Sequence, residues 1–405
     1  MHQINRKLIK MKRKIAIVTF SLIIITGCGG SKQSNNDLLI VDVTKSYPEK
    51  ELILQDLMDV EYIPLEITDE FVNQGEVLTV GEEIILVKNR VNDGNIFIYD
   101  RTGKGLRKIN RMGQGPEEYT LYNNIVLDEG NNEMFVNSAN RILVYDMFGT
   151  FKRSFQHNEG SIYTNLRDFN RESLICQDIY YDAAEAADKL PFVIISKQDG
   201  SIVKGISIYG QQKIPATKIL SKDGRVVSVP LSAISGIISY RGNRIFTIYS
   251  TDTVFCYLPD HSMIPFMVRI PPVKSDDLEE FLYPIVLTER YSFLKIIKFS
   301  NPEFTGTPQT GLGIVLQQTN LMYDNQDKAI FEYTLYNDDY SEKRTVEIVP
   351  LQNSMNEDIA FMQKIEAYEL VEAYKNGDLK GQLKEIAEDL NEEDNPVIVI
   401  GKLKK

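Results

Sequence analysis

The feature of this chain that most restricts its fold is an internal repeat of a β-hairpin. Residues 96–109 (IFIYDRTGKGLRKI) align with residues 142–155 (ILVYDMFGTFKRSF) at an offset of 46 positions. Each segment has a strand of β-branched and aromatic residues, an Asp-x-x-Gly turn and a second strand. Weaker copies occupy residues 193–206 and 253–270. A single hairpin cannot bury its apolar faces, so repeated units of this length stack on one another.

The length of the repeat favours a β-propeller. A period of 46 residues lies between the roughly 40–45 residues of WD-type blades and the roughly 50 of kelch-type blades. Propellers leave only short, protected strand edges, which suits a long chain made mostly of strands. Two similar hairpins in a β-sandwich are the alternative interpretation. We predict an all-β propeller over residues 38–405.

The C-terminal part has a different pattern. Over residues 359–390 apolar residues recur at helical spacing in two stripes, namely Phe361, Ile365, Tyr368, Val371 and Tyr374, then Leu379, Leu383, Ile386 and Leu390. Between the stripes, residues 376–378 (NGD) predict a C-cap followed by an N-cap. Residues 397–400 (VIVI) return to a strand pattern. We expect this last strand to pair with the candidate strand at residues 38–43 and so to close the ring.

The N-terminus has the order of a secretory leader. Six basic residues lie between positions 6 and 14, an apolar run covers residues 15–25, and Thr26-Gly27-Cys28 follows. The run is shorter than the roughly 20 residues that span a bilayer. The cysteine context resembles the bacterial lipobox, in which a lipid is attached to the thiol before cleavage. A plain signal peptide with a chance cysteine is the alternative. We predict a signal peptide at residues 1–27, lipidation at Cys28 and a flexible tether at residues 28–37.

Charge excludes one class of partner. Loss of residues 1–27, which contain six Lys or Arg and no Asp or Glu, changes the net charge from −12 to −18. Nucleic-acid binding depends mainly on Lys and Arg contacts to phosphates, so no nucleic acid is expected as a partner. Only His157 and His261 remain after cleavage, which argues against a histidine-built metal site. We assign no metal, no cofactor and no catalytic residue.

Residues 100–104 (DRTGK) and 111–119 (RMGQGPEEY) resemble the six-bladed β-propeller lipoproteins common in Bacteroidetes. Further matches are residues 61–66 (EYIPLE), 252–254 (DTV) and 395–404. Glu117 departs from the pattern, which more often has Gly there. The resemblance implies six four-stranded blades and a place in the cell envelope, and no established reaction. In such bacteria an acidic run after the cysteine favours outward display, and its absence here favours the periplasmic face of the outer membrane.

Three short patterns have simpler structural interpretations. Gly113-Gln114-Gly115 is predicted to be a turn between blades, because Pro116 and two carboxylates follow where a phosphate loop needs backbone donors. Residues 324–327 (DNQD) lack the glycine and distal glutamate of a calcium loop and predict a hairpin turn. Tyr180-Tyr181 suits either stacking on a sugar or packing under a helical turn.

The two remaining cysteines leave a question of pairing. Cys176 and Cys256 either form a disulfide in an oxidising compartment or stay as buried thiols.

Two classes of function stay open from the sequence. The first is a binding or scaffold module that holds a protein or glycan partner at the envelope. The second is a hydrolase or lyase with its site in the central channel. Because no catalytic constellation is visible in the sequence, we favour binding.

The leader pattern generates a direct test. We expect Cys28→Ala to leave the protein unprocessed and without lipid, because the thiol is the predicted acylation site. Metabolic labelling with a fatty-acid analogue measures this, and equal labelling of the native and substituted proteins would refute the anchor.

Overall fold

The computed structural model describes residues 38–404 except residues 123, 181–189, 213, 216, 275–277, 308–310 and 349–357. Leu38–Lys405 forms one compact unit. Its strands form a six-bladed β-propeller, which confirms the predicted fold class and excludes the sandwich alternative. The predicted leader and tether, with Cys28, lie outside the described residues.

Three strands precede the first complete blade. They are β1 (Leu39–Asp42), β2 (Glu49–Ile53) and β3 (Met58–Pro64), with the single-turn helix α1 (Leu54–Leu57) between the last two. These strands extend blades that are built from residues far along the chain.

Blades one to three are regular antiparallel sheets of four strands each. Blade one contains β4 (Glu76–Val80), β5 (Ile84–Lys88), β6 (Asn95–Asp100) and β7 (Gly105–Asn110). Blade two contains β8 (Asn124–Asp128), β9 (Glu133–Ser138), β10 (Arg141–Asp146) and β11 (Phe151–Gln156). Blade three contains β12 (Ser161–Asp168), β13 (Ser173–Tyr180), β14 (Phe192–Ser196) and β15 (Ile202–Ile206).

Blades four to six carry additions. The hairpin β16 (Thr217–Lys222) and β17 (Arg225–Pro230) precedes blade four, which contains β18 (Gly236–Tyr240), β19 (Asn243–Thr247), β20 (Thr253–Tyr257) and β21 (Met263–Ile270). Blade five contains β22 (Glu280–Leu287), β23 (Tyr291–Thr307), β24 (Gly311–Asp324) and β25 (Ala329–Asn337), and β25 also pairs with β26 (Arg344–Val346). Blade six contains β27 (Ile359–Ile365) and β28 (Val397–Leu403), with helices α2 (Ala367–Asn376) and α3 (Gly381–Glu388) between them. With β3 it has three strands among the described residues, not the four expected of each blade.

The ring closes through a different N-terminal strand from the one expected. β28 pairs along its whole length with β3, from Val397 opposite Pro64 to Leu403 opposite Met58. The predicted partner at residues 38–43 pairs instead with blade four, where β1 runs parallel to β21. The expected pairing was wrong because residues 38–64 cross the outer edges of three successive blades, and only the third strand reaches blade six.

The helical stretch begins later than its pattern predicted. Residues 359–365 form β27, and the helices begin at Ala367 and Gly381. Phe361 and Ile365 are four positions apart, a spacing that fits both a helical and an alternating pattern. Gly377 ends α2 in the left-handed conformation (φ +78°), as predicted, but the N-cap of α3 is Lys380 rather than Asp378.

The repeated Asp-x-x-Gly segment makes the same turn in blades one and two. Asp100 Oδ1 accepts hydrogen bonds from the backbone of Thr102 and Lys104, and Asp146 Oδ1 accepts them from Phe148 and Thr150. The turn glycines have positive φ, which glycine adopts without the steric cost of a side chain. In blade three, Ser196 takes the place of the aspartate.

The same glycines let neighbouring blades approach closely. A Cβ atom on Gly149 would lie 2.9 Å from Ile109 Cγ2, and one on Gly200 would overlap the ring of Phe155. Ile109 and Phe155 occupy equivalent repeat positions in the outermost strands of blades one and two. Each turn therefore packs on the outer strand of the preceding blade, so the repeat encodes contacts between blades as well as a hairpin.

The arginine shared by the repeats makes a second contact between blades. Arg107 donates to the carbonyl of Met147 (2.8 Å) and Arg153 donates to the carbonyl of Lys197 (2.7 Å). In both cases the acceptor lies in the third-to-fourth strand turn of the next blade. Arg153 also forms two 2.7 Å bonds with Glu133, which lowers the pKa of that carboxyl to about 2.

The glycine contact predicts unequal costs for two similar substitutions. Gly200 and Gly224 have the same φ of +75°, but no atom lies within 4 Å of a Cβ on Gly224. Gly224→Ala should cost only the backbone strain of about 1–2 kcal/mol. Gly200→Ala should cost about 1–3 kcal/mol more, because the methyl group forces Phe155 and the backbone apart. Denaturant unfolding of the two variants measures the difference, and equal losses would contradict the proposed packing.

Candidate functional site

The propeller has an added structural region beside the start of β22, the inner strand of blade five. Here β23 and β24 continue beyond the pairing of Glu280 with Lys298, through to the pairing of Thr307 with Gly311. The inserted hairpin β16–β17 packs against this extension, and Arg225 donates to the carbonyl of Phe304 (3.1 Å). We call residues 217–230 together with residues 299–307 and 311–316 the hairpin platform.

The hairpin platform has its own apolar core. Leu220 and Phe299 are buried in it, and Val229, Phe304 and Ile314 pack against them. Lys218 crosses the same face and donates to the carbonyl of Leu278 (2.8 Å). The hairpin is therefore a fixed part of the propeller surface.

The outer face of the β16–β17 hairpin carries no charge. Three cross-strand pairs form it: Thr217 with Pro230, Ile219 with Ser228, and Ser221 with Val226. All six residues are exposed, Ile219 at 69% and Val226 at 55%. Because 25% of the chain is charged, an uncharged strip with two large exposed apolar side chains is an unusual surface.

The base of the platform is tied to an irregular inner strand of blade three. Asn165 adopts a positive φ (+49°) inside a bulge of β12, where the pairing with β13 shifts between Thr164 and Arg167. Asn165 Nδ2 donates to the carbonyl of Ser235 (3.1 Å), the residue that follows the hairpin and its 3₁₀ turn. Bulges of this kind re-aim side chains and are frequent beside functional sites.

A buried lysine, Lys197, joins blades two and three. Lys197 Nζ lies 2.5 Å from Asp128 Oδ2 and 2.6 Å from Asp168 Oδ1. Burial raises the pKa of Asp168, and the nearby lysine offsets this only in part. Burial also opposes ionisation of Asp128, but hydrogen bonds from Lys197 and Asn131 bring its pKa below the usual value. The three charges hold one another in place, so the cluster is a clasp between blades.

Two arginines lie beside this clasp. Arg244 donates to the carbonyls of Asp168 and Phe169, both at 3.2 Å. Burial, with a smaller contribution from the positive charge of Arg244, lowers the pKa of Arg167 to about 10. Arg167 lies on β12 of blade three and Arg244 lies on β19 of blade four, so the bonds from Arg244 link these two blades.

His157 is held as a neutral ring. Its Nε2 atom is 2.9 Å from Asn137 Oδ1, its Nδ1 atom accepts a bond from the backbone N–H of Tyr163, and its ring stacks on Tyr163. Burial lowers its pKa to about 4. Both ring nitrogens are engaged in contacts between blades, so the geometry does not favour acid–base catalysis by this residue.

The Gly-Gln-Gly-Pro segment is a turn between blades one and two, as predicted. Glu118 Oε2 accepts a bond from the backbone N–H of Gly115, inside the turn. Blade two holds the loop from outside, since Arg141 donates to the carbonyls of Gly115 and Glu118, and Tyr145 donates to that of Glu117. Glu117, where the resemblance departs, contributes only this backbone contact among those described.

The other predicted positions have plain structural roles. Asp324 begins the turn between β24 and β25, as predicted, and accepts the backbone N–H of Gln326. Cys176 and Cys256 are buried free thiols in blades three and four, and burial raises the pKa of both. Tyr180 ends β13, whereas Tyr181 lies outside the described residues.

Sequence reasoning missed the clasp and the platform. Lys197 directly follows the turn residue Ser196, as Arg101 directly follows the turn residue Asp100, and the side chain of Arg101 bonds to Glu61 of blade six at 2.7 Å. A basic residue after the turn aspartate or serine therefore marks a contact with the preceding blade. Residues 217–230 lie outside the repeat, and their sequence does not mark an exposed face, because apolar residues are adjacent at 219–220 and at 226–227.

A comparison with protein families identifies the group to which the chain belongs. The sequence model of the family "Domain of unknown function (DUF4934)" matches residues 38–402. The chain belongs to the DUF4934 family. This match covers all six blades, and its description names no activity.

One solved structure shares the fold of this DUF4934 protein, and two others show a weaker similarity to it. A protein from Bacteroides fragilis described as exported has a TM-score of 0.58 and 14% identity, covering 88% of this chain and 100% of its own. A DUF4221 family member from Bacteroides vulgatus has a TM-score of 0.43 and 8% identity, covering 86% and 98%. Virginiamycin B lyase from Staphylococcus aureus has a TM-score of 0.37 and 9% identity, covering 86% and 100%. Among curated protein sequences, none matches.

The described residues contain neither a membrane-spanning helix nor a cluster of potential metal ligands. None of the helices there is both long enough and apolar enough to cross a bilayer. The same part of the chain contains no group of three or more His, Cys, Asp or Glu side chains placed to hold a metal ion.

The neutral state of His157 predicts a specific pH dependence. The unfolded chain binds a proton near pH 6.5, whereas the folded chain binds it only near pH 4. The free energy of unfolding should therefore fall as the pH drops through this window, by on the order of 3 kcal/mol. His157→Gln, whose amide can still donate to Asn137, should flatten this part of the profile.

Urea unfolding between pH 7 and pH 4 measures the effect. His261→Gln is the matched control, because His261 is exposed and its described contacts are a hydrogen bond to Tyr257 and ring contacts with Tyr257 and Phe169. A profile that is steep in the His157 variant and flat in the control would contradict the assignment.

Proposed function

We propose that this DUF4934 protein is a cell-envelope lipoprotein whose propeller is a binding module for a partner protein. The observation that carries the proposal is the uncharged outer face of the β16–β17 hairpin. We propose that the partner packs on this face, over Ile219 and Val226.

Physical cost supports this use of the surface. Exposed apolar patches rimmed by polar residues mark interaction surfaces in soluble proteins. Burying one aliphatic side chain of this size contributes about 1.5–3 kcal/mol. Because the Arg225 and Lys218 contacts already hold the hairpin, a partner would not have to order it, which lowers the entropic cost of association.

The chemistry of the described titratable groups favours binding over a hydrolase or lyase. General acid–base catalysis needs a titratable group that can exchange a proton near the working pH. Among the described groups, Asp128 and Asp168 are paired with Lys197, and both nitrogens of His157 are engaged. The thiols of Cys176 and Cys256 are buried with raised pKa values, which disfavours the nucleophilic thiolate.

The anchor in this proposal rests on the leader pattern. Lipidation at Cys28 and a tether at residues 28–37 would connect the membrane to Leu38, which precedes β1 at the rim of blade four. We propose the outer membrane, with the propeller on its periplasmic side. A second acyl chain is required for stable anchoring, because a single chain gives only marginal membrane binding.

Site-specific photo-crosslinking in intact cells tests the binding face. A photoreactive residue at position 219 or 226 should yield a discrete crosslinked protein, because these side chains would face the partner. Val203 is the control position: it is equally exposed, at 59%, but lies on the outer strand β15 of blade three. We expect no discrete product there.

A charge substitution completes the test. Ile219→Lys should abolish the crosslink from position 226 without lowering the thermal midpoint, because the residue points to solvent. Failure of both platform positions to crosslink, or identical products from position 203, would contradict the proposed function.

A further inference from the structure

A row of polar side chains crosses the interior of blade five. Tyr283 on β22 pairs with Lys295 on β23, and Lys295 pairs with Asn320 on β24. Leu321 pairs with Glu332, so Tyr333 on β25 is the next position opposite Asn320. Directly paired residues of antiparallel strands project to the same face of a sheet. Four polar residues therefore share one face of the blade.

The row contains a charge that is deeply buried. Lys295 is 3% exposed, and its ammonium group lies 2.5 Å from Glu347 Oε1. The side chain of Glu347 is 59% exposed, so the ion pair joins a buried cation to a carboxylate at the surface. Tyr283 is only part-buried and belongs to the innermost strand of the blade. The row is thus open to solvent at Glu347 and at Tyr283.

Two buried polar atoms in this row lack a partner among the described residues. They are the hydroxyl of Tyr333, a residue only 5% exposed, and the side-chain oxygen of Asn320. Buried polar groups in folded proteins are nearly always hydrogen-bonded to protein, water or a ligand. Burial, followed by the charge of Glu347, raises the pKa of Tyr283 to about 12 and also raises that of Tyr333. Both hydroxyls therefore keep their protons and can donate.

We propose that this row is a binding site for a neutral sugar, separate from the protein-binding face of the platform. The two formal charges, on Lys295 and Glu347, cancel, which favours a neutral ligand over an ionic one. Asn320 and Glu347 offer acceptors, while Lys295 and the tyrosine hydroxyls offer donors. A sugar hydroxyl both donates and accepts, so adjacent hydroxyls of one ring would satisfy both kinds of unpaired group.

The full chain, with its leader removed, is the protein to test. The probes are the methyl glycosides of glucose, galactose and N-acetylglucosamine, with galacturonate as an acidic comparison. Saturation-transfer NMR and calorimetric titration measure binding. We expect at least one neutral glycoside to bind, and galacturonate to bind more weakly because Glu347 repels it.

Tyr333→Phe is the diagnostic variant. It removes a hydroxyl that has no protein partner among the described residues, so the thermal midpoint should stay the same or rise. Binding should weaken by about tenfold, the effect of losing one hydrogen bond to the ligand. Tyr340→Phe is the matched control, since that buried hydroxyl also lacks a described partner but lies outside the row. It should leave the affinity unchanged.

The outcomes are decisive in both directions. Neutral-sugar binding that weakens in Tyr333→Phe and persists in Tyr340→Phe supports the site. Absence of binding by every neutral glycoside, equal weakening in both variants, or binding of galacturonate alone would overturn it. A lower midpoint in Tyr333→Phe would show that the hydroxyl has a structural partner, which also overturns it. None of these results depends on the crosslinks from the platform.

Discussion

The contact between a turn glycine and the outer strand of the preceding blade is the interaction on which this propeller depends. Each blade is a twisted sheet with an apolar face that only its neighbour can cover. Gly149 on Ile109 and Gly200 on Phe155 repeat one arrangement in successive blades. At the junction of blades six and one, Gly103 packs in the same way against the carbonyl of Pro64 on β3. A side chain at any of these glycines would separate two sheets that must touch.

This arrangement explains why part of the fold was predictable from the sequence. The same repeat positions encode the turn aspartate, the glycine, the arginine that contacts the next blade and the apolar residue under the next turn. The repeat of residues 96–109 at residues 142–155 therefore predicts the hairpin, the stacking of blades and the length of a blade. Local chemistry and tertiary packing agree at these positions, and such agreement is what makes a pattern informative.

The incorrect predictions share a physical origin. Residues 38–43 form a strand, as their pattern suggested, but their partner depends on how far the N-terminal segment travels around the ring. The spacing of Phe361 and Ile365 fits both a helix and a strand, and these residues form a strand because they pair with β28. Lys197 and Asp128 are far apart in sequence, so their ion pair follows from the stacking of blades and not from any local pattern. Pairing partners over long sequence distances are the information that a single sequence lacks.

The additions to the ring have the most direct bearing on function. The hairpin platform lies outside the repeat, and its outer face takes no part in the stacking of the blades. The polar row of blade five likewise contributes nothing to stacking that apolar residues would not supply better. By contrast, the charges of Lys197, Asp128 and Asp168 pair with one another and hold blades two and three together. Residues that the stacking of blades does not require are therefore found at two separate places, on the surface of the platform and in the buried polar row of blade five.

Strands from the two ends of the chain close one continuous ring. β28 is the middle strand of blade six, between β27 and β3. The most direct measurement is thermal unfolding of the mature protein after deletion of residues 395–405, compared with deletion of residues 38–43, which removes only the edge strand β1. We expect the first protein to lose cooperative unfolding and the second to show only a modest decrease in its thermal midpoint. An unchanged midpoint after loss of residues 395–405 would contradict this closure of the ring.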